Sequence, residues 1–384
     1  MDNLNRDEEQ IKILTPHEIF SLKAEFATAK MPDFTKNESD CIEHDLILKI
    51  DEKCNPKIYS DSEDCLKAKI EKEKDFYRIH ISCAKGKRSK NNFGESYERF
   101  DKDELSKLVA NVELPKHFKP DWLDLNYAPV HISHRNTKLL KGLKCGQTFP
   151  FSMVEREELM NSLTYPWCTV GKIFVGKGTN FDNPVWSGSG VMVGRNLLLT
   201  ASHVAPWGAS PWWIRFVPAY NNGNEPFGRV YVQSFRGIKN TDNVTGLDYV
   251  ICKLYEPMGD KVGWMGSQSF GDDDKYYDGN WTSVGYPGDF SMGQLPTVEN
   301  NVRIEDVDND DNGRELESRV FASPGWSGGP LWGWIDSSPK VIGVLSGREE
   351  EFSFWDFFTE THSVSAGGRS MVDLVKYGIA NWAI

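Results

Sequence analysis

The stretch Leu197-Leu198-Leu199-Thr200-Ala201-Ser202-His203-Val204 is an apolar run that passes into small residues and then a histidine. A run this short, ending in a β-branched residue, reads as a buried strand rather than a helix. It predicts a strand over 196–200, a turn, and an imidazole delivered at the strand end, facing a cleft. Similar short runs recur on both sides with turn residues between them: Thr169–Val175, Gly190–Val193, Trp213–Val217, Val230–Gln233 and Asp248–Leu254. Beyond a Gly/Asp-rich link come Trp281–Gly285, Arg319–Ala322, Leu331–Trp334 and Val341–Leu345. This many short strands over roughly 220 residues predicts an all-β body, as barrels or a sandwich. After them, the spacing of Met371, Val372, Leu374, Val375, Ile379 and Trp382 puts apolar groups on one face of a helix packed on that body.

Composition sets this body apart from what precedes it. The first 150 residues hold 26 Lys and Arg against 27 Asp and Glu, a net of −1. The other 234 hold 18 against 29, a net of −11, which gives −12 for the chain. Only 4 of the 33 glycines, and only Trp122 of the 13 tryptophans, precede residue 150. A charge-dense, glycine-poor segment ahead of a Gly- and Trp-rich one predicts two domains of different class. We place an α+β N-terminal region over 1–155 and the β domain over 156–384. In the first, Thr15-Pro16-His17-Glu18 looks like a helix start, Asp45–Ile50 and Phe76–Ile81 like strands, and Asp101–Val109 like a short helix. Lys85–Lys90 is a basic run expected to be a solvated loop. This half carries no chemical motif.

The acidic balance argues against a general binder of nucleic acid or anionic membranes. The apolar runs are far shorter than the ~20 residues of a membrane-spanning helix. Met1–Gln10 carries no apolar core of a secretory signal, and 7 cysteines without a CxxC pair give neither a zinc site nor a disulfide framework. A cytoplasmic location is expected, although an unusual export route would leave the same trace. No cofactor or metal is expected.

Three residues carry the chemistry. His203 is one of two histidines in the β half. Asp248 opens the apolar strand Gly246-Leu247-Asp248-Tyr249-Val250-Ile251-Cys252, where a carboxylate can orient a neighbouring group. Ser327 lies in Ser323-Pro324-Gly325-Trp326-Ser327-Gly328-Gly329-Pro330-Leu331. A nucleophilic serine needs a tight loop whose N–H groups face the developing oxyanion. Here those donors would be the N–H groups of Gly325 and Ser327, with Gly328 and Gly329 clearing side chains from the approach. Histidine to take the hydroxyl proton, aspartate to orient the imidazole and serine to attack make a hydrolytic triad.

The order His, Asp, Ser and the three contexts resemble the chymotrypsin-like (trypsin-like) serine proteases. Thr200-Ala201-Ser202-His203, Gly246-Leu247-Asp248-Tyr249-Val250 and Gly325-Trp326-Ser327-Gly328-Gly329-Pro330 are similar to that family's three signatures. The likeness covers about residues 165–384. It implies two six-stranded antiparallel barrels, a site between them, a C-terminal helix, and a serine endopeptidase acting on a protein or peptide substrate. Val204 rather than cysteine follows His203, and no cysteine flanks Ser327, so the digestive branch's disulfides are absent. Trp326 stands where that branch has an aspartate to receive a freed N-terminal amine, so that activation route is closed. With Gly285-Tyr286-Pro287, this brings the chain nearest the glutamyl-endopeptidase (V8-like) group.

The resemblance puts Phe321, Ala322 and Ser323 at the base of the specificity pocket and Ser346, Gly347 and Arg348 along its wall. No aspartate stands at the base, which disfavours a Lys/Arg preference. Arg348 can accept an acidic side chain, yet Leu345 replaces the strand histidine of glutamyl endopeptidases, and Arg348 with Glu349–Glu351 reads as a self-paired solvated loop. Asp308-x-Asp310-x-Asn312-Gly313 opens like a calcium loop but has Arg319 at its twelfth position, so a plain acidic turn is expected. His362 is expected at the surface. The N-terminal region would be a pro-region, an intramolecular inhibitor or a substrate selector, with Leu143–Gly146 or Arg156-Glu157 as cleavage zones. Two other readings compete: a catalytically inactive binding protein on the same scaffold, and another serine hydrolase such as an esterase. The esterase elbow needs a helix after the serine and places serine first in the chain.

Overall fold

The computed structural model describes residues 41–48, 66–73, 76–84, 91–120, 123, 157–158, 162–238, 245–310, 312–352 and 359–382. The expected helix start at Thr15, the basic run Lys85–Lys90 and the cleavage zone at 143–146 lie outside them. The chain divides into two compact units, one of residues 1–87 with 121–132, the other of 88–120 with 133–384. In the first, β1 (Cys41–Leu48), β2 (Leu66–Glu73) and β3 (Phe76–Ala84) form an antiparallel sheet in the order β1-β3-β2. Two of these are the strands expected from alternation.

The second unit begins with β4 (Ser96–Phe100) and helix α1 (Lys102–Leu108), then β5 (Glu157–Glu158). The first barrel follows: β6 (Val170–Lys177), β7 (Trp186–Gly194), β8 (Leu197–Thr200), β9 (Trp212–Pro218), β10 (Val230–Ile238) and β11 (Val250–Leu254). Pairing runs β6-β7-β8-β11-β10-β9 and returns from β9 to β6, antiparallel throughout, so the ring is closed. A short β12 (Gly266–Ser267) leads to the second set. It comprises β13 (Trp281–Gly285), β14 (Thr297–Val302), β15 (Ile304–Asp310), β16 (Gly313–Ser318), β17 (Pro330–Ile335), β18 (Ser338–Phe352) and β19 (Thr359–Gly368). Here β14 pairs with β13 and β15 with β16, on either side of Arg303. Counted as one bent strand, they close the ring β13-β14/β15-β16-β19-β18-β17. Each ring visits its strands in the order first, second, third, sixth, fifth, fourth. The two six-stranded barrels implied by the resemblance are both present, and helix α2 (Arg369–Trp382) ends the description.

The leucine run shows why the sequence folds this way. Successive side chains of a strand face opposite ways. Leu198 turns into the barrel, where it and Ile173 crowd the space over Gly190. Leu197 and Leu199 turn outward into a core shared with Met371, Leu374 and Val375 of α2, so all three leucines are fully buried. Burying each contributes about 1.5–3 kcal/mol. Gly378 lets α2 approach Leu197 and Ile251 closely.

Three expectations need correction, and a fourth, the acidic turn, is met and gains its place in a hairpin. Arg319–Ala322 is not a strand; β16 ends at Ser318, and the Phe321 N–H donates to the Glu299 carboxylate at 2.9 Å instead of to a ladder. Arg348–Glu351 is not a loop but part of β18, paired with β19 after a bulge between Leu345 and Gly347. The acidic turn is the tip of the β15–β16 hairpin, whose alternation is hidden by a bulge between Ile304 and Asp306 and by outward-facing acids. His362 is buried rather than on the surface, with Nδ1 3.3 Å from the Glu317 carboxylate.

Residues 91–120 belong to the barrel unit. β4 adds to β10 in parallel, from Ser234 beside Ser96 to Ile238 beside Phe100. Asp101 caps α1 by accepting the N–H groups of Asp103 and Glu104, and Leu105 and Val109 enter the same core as α2. Ser106 Oγ donates to Asp373 of α2 at 2.8 Å.

Candidate active site

His203 sits in a 3₁₀ turn (Ser202–Val204) just past β8, as the small residues before it dictate. Asp248 precedes β11, which pairs with β8 so that Val250 lies opposite Thr200. The two segments therefore arrive side by side. His203 Nδ1 lies 2.6 Å from Asp248 Oδ2, and the His203 backbone N–H donates to Asp248 Oδ1 at 2.9 Å. Ser346 Oγ donates to Oδ2 at 2.6 Å. Asp248 is 1% exposed, so its charge is met almost entirely by these three groups. The imidazole is more than a third exposed. In a neutral imidazole an acceptor at Nδ1 holds the ring proton on that nitrogen and leaves the lone pair on Nε2. Ser346, expected in the pocket wall, is buried and steadies the carboxylate.

The turn before Asp248 is held by the acidic hairpin. Thr245 Oγ1 donates to Asp310 at 2.6 Å, and the Gly246 N–H to Glu315 at 3.1 Å. Asp310, which looked like part of a calcium loop, is a structural acceptor. Asp308, Glu315 and Glu317 bring carboxylate oxygens within 4.8 Å of one another.

Ser327 comes from the second barrel, in the loop between Ser318 and β17. The loop is followed by a strand, Pro330–Ile335, not by the helix that an esterase elbow requires. Gly325 and Gly328 have φ of +99° and +81°, open to glycine and strained for other residues. A Cβ on Gly328 would stand 2.1 Å from Thr200 Oγ1, and one on Gly329 2.2 Å from the Val284 carbonyl. These glycines clear the protein's own interior; the expectation that they clear the substrate's approach is corrected, because both are buried. A Cβ on Gly188 would reach both Val204 and the Ser327 carbonyl, at 2.9 and 3.1 Å, which shows how closely the histidine and serine loops meet.

Several bonds lock the loop. The Gly288 N–H donates to the Pro324 carbonyl at 2.7 Å. In a trans peptide C=O and N–H point in opposite directions, so the Gly325 N–H is turned away from Gly288. Ser189, which the sequence did not single out, clamps the rest. Its Oγ donates to the Gly325 carbonyl at 2.8 Å and accepts the Tyr286 N–H at 3.0 Å, and its N–H donates to the Ser327 carbonyl at 2.8 Å. Among the described residues no acceptor is bonded to the N–H groups of Gly325 or Ser327, while those of Trp326, Gly328 and Gly329 are all used. Trp326 is fully buried in the second barrel's core, its indole over Gly285. A buried indole anchors the loop where the digestive enzymes use an ion pair.

Of the expected pocket residues, Phe321 is half exposed and carries the Arg348 guanidinium 4.9 Å from its ring centre. Ala322 is buried, and Ser323 Oγ donates to Asp289. Lys172 of β6 lies opposite Ser189 of β7 in the ladder and donates through Nζ to the Gly293 carbonyl at 2.6 Å. Burial lowers its pKa to about 8. Cys168 and Cys252 are free and buried, and burial pushes both thiols well up. Among the described residues no helix is long and apolar enough to cross a membrane.

Residues 188–344 match the family model described as trypsin-like peptidase domain. Exfoliative toxin A of Staphylococcus aureus is 27% identical over 210 residues, which are 52% of this chain and 66% of the toxin, just under two thirds of its length. Among solved structures, a Glu endopeptidase is 16% identical with a TM-score of 0.43, covering 59% of this chain and 97% of that one. Protease Anisep from Arthrobacter nicotinovorans is 20% identical with a TM-score of 0.39, covering 56% of this chain and 96% of that one. The family match supports a serine peptidase.

Proposed function

We propose that the chain, whose residues 188–344 match the trypsin-like peptidase domain model, is a serine endopeptidase working through an acyl-enzyme. Ser327 Oγ attacks the scissile carbonyl while His203 Nε2 takes its proton. The oxyanion is held by the N–H groups of Gly325 and Ser327. His203 then gives the proton to the leaving amine; a water, deprotonated by the same imidazole, attacks the acyl carbonyl, and the proton passes to Ser327 Oγ as the ester bond breaks and the acid product leaves. Asp248 keeps the imidazole in the required tautomer and stabilises its cation. The observation that carries this reading is the pair of hydrogen bonds from one histidine, by ring and by backbone, to one buried carboxylate.

The oxyanion loop is ready without cleavage in this reading. Its geometry rests on Ser189, Gly288 and the buried Trp326 rather than on a new N-terminus. The pro-region, inhibitory or substrate-selecting role expected of the N-terminal region then falls on residues before 88, because 91–120 is built into the barrel unit. A reducing compartment fits the free thiols of Cys168 and Cys252. The substrate is a protein or peptide chain.

The test is cleavage of an unfolded protein substrate by wild type, Ser327→Ala and His203→Ala. Fragments from wild type alone support the reading. Binding of the substrate without cleavage by any of the three overturns it in favour of a binding protein on a protease scaffold.

A further inference from the structure

The peptide that joins Ser202 to His203 is gripped from both sides. Its N–H donates to Asp248, and its carbonyl accepts from Trp207 Nε1 at 3.0 Å; the same indole N–H reaches Ser202 Oγ at 3.1 Å. The Trp207 ring is in turn packed by residues from far away in sequence. Arg99 holds its guanidinium 4.1 Å from the ring centre. Tyr97 meets the indole edge-on at 5.6 Å while lying parallel to Phe235 at 5.2 Å, and Phe235 meets the indole edge-on at 4.7 Å.

Tyr97 and Arg99 lie on β4, and β4 is fastened to the barrel independently of Trp207. Backbone bonds join Gly94 to Trp212 at 2.9 Å and Glu95 to Gln233 at 2.7 Å, ahead of the parallel ladder with β10. Gly94 lies flat on the Trp212 ring, where any Cβ would be about 1.9 Å from an indole carbon. Tyr231 OH donates to Asn91, and Tyr255 OH donates to the Phe93 carbonyl at 2.7 Å. Arg236 pairs with Glu98 at 3.1 Å. A strand this well fastened can hold an indole in place.

We propose that Tyr97 and Arg99 are positioning residues for His203: they fix the Trp207 indole, which fixes the Ser202–His203 peptide and hence the imidazole against Asp248. The inference rests on the peptidase reading above for its consequence, and on the contacts alone for its geometry. A cation over an indole is worth about 0.5–2 kcal/mol, so loss of the guanidinium slows reactions that use His203 by about two- to thirtyfold.

The experiment uses the full chain as wild type, Arg99→Ala, Arg99→Lys, Tyr97→Ala and Trp207→Phe. Two quantities are read: the rate of labelling by a fluorophosphonate, and the low-field proton resonance of the His203 Nδ1–H···Asp248 bond. Thermal melting identifies variants that remain folded. In folded Arg99→Ala and Tyr97→Ala we expect slower labelling and a shifted or broadened resonance. Arg99→Lys should restore most of both, and Trp207→Phe, which loses the Nε1 donor, should be the most affected. Unchanged labelling and an unchanged resonance in Arg99→Ala and Trp207→Phe would overturn the proposal. Absence of labelling in wild type would instead strike the peptidase reading, and the resonance alone would then decide whether β4 positions His203. If Arg99→Ala does not fold, Trp207→Phe and Tyr97→Ala carry the same decision.

Discussion

The two halves of the candidate site are held by opposite means. His203 and Asp248, on the first barrel, are fixed by side-chain groups converging on one buried carboxylate and by an indole braced from β4. Ser327, on the second barrel, is fixed by backbone bonds, by Ser189 and by places where only glycine fits. A side-chain network loses function in steps as its members are removed. A loop defined by clearance has no partial state, because one added methyl collides with its neighbours. The serine side should therefore fail abruptly on substitution and the histidine side by degrees.

Removing the nucleophile gives the largest effect. Ser327→Ala should lower turnover by about 10⁶-fold, down to what the oxyanion donors and binding supply alone, while leaving the melting temperature near wild type. Loss of stability would show that the hydroxyl is structural. Asp248→Asn comes next, at about 10⁴-fold in kcat, because an amide cannot orient the same tautomer. A loss under tenfold would mean that the carboxylate is a buried structural acid. Gly328→Ala sets the two halves directly against each other. Its methyl would stand 2.1 Å from Thr200 Oγ1 in a left-handed backbone, so activity should fall by at least about 10²-fold, as for loss of an oxyanion donor, and melting should fall with it. Ser346→Ala removes one of three bonds to Asp248 and leaves the others. A hydrogen bond to a charged group is worth about 1.5–3 kcal/mol, so an effect of about ten- to a hundredfold, read as kcat/KM, would place it on the graded side.

The smallest effect concerns Lys172, whose Nζ braces the Gly293 carbonyl. Burial lowers the Lys172 pKa from its ordinary 10.5 to about 8. Between those values the unfolded chain binds a proton that the folded chain has lost, so stability rises with pH across that window. Below about pH 8 both states hold the proton and the contribution is flat. Melting temperatures of wild type and Lys172→Met, followed from pH 7 to 10.5, should differ in slope only above pH 8. Parallel curves would show that the ammonium is better solvated than its burial implies.

Most of the β body was legible because its strands are short apolar runs closed by turn residues, as in Leu197–Thr200. The three candidate residues stand out in the sequence because each sits in a context that the proposed chemistry requires: a strand end, a strand start and a glycine loop. Less was legible where acids cover a bulged hairpin, as in Ile304–Ser318, since charge hides the alternation that Ile304, Val307 and Leu316 keep. Ser189 gave no signal at all, because a serine inside a strand looks like any other until its hydroxyl is seen bonded to a loop some 140 residues away, a separation of 136 at Gly325. Composition drew one boundary near residue 150, whereas Phe100, Leu105 and Val109 lie in the same core as α2. A charged, glycine-poor segment can still supply the few apolar side chains that complete a neighbour's core.

On the proposed function, Ser327 is an activated nucleophile in the uncleaved chain. The most direct measurement is fluorophosphonate labelling of the full-length protein followed by mass-spectrometric mapping of the modified residue. We expect a single modified residue, Ser327, no label in Ser327→Ala, and at most about 10⁻³ of the wild-type rate in Asp248→Asn. Label on another serine, or none in the intact chain under conditions where trypsin-like enzymes react, would contradict it.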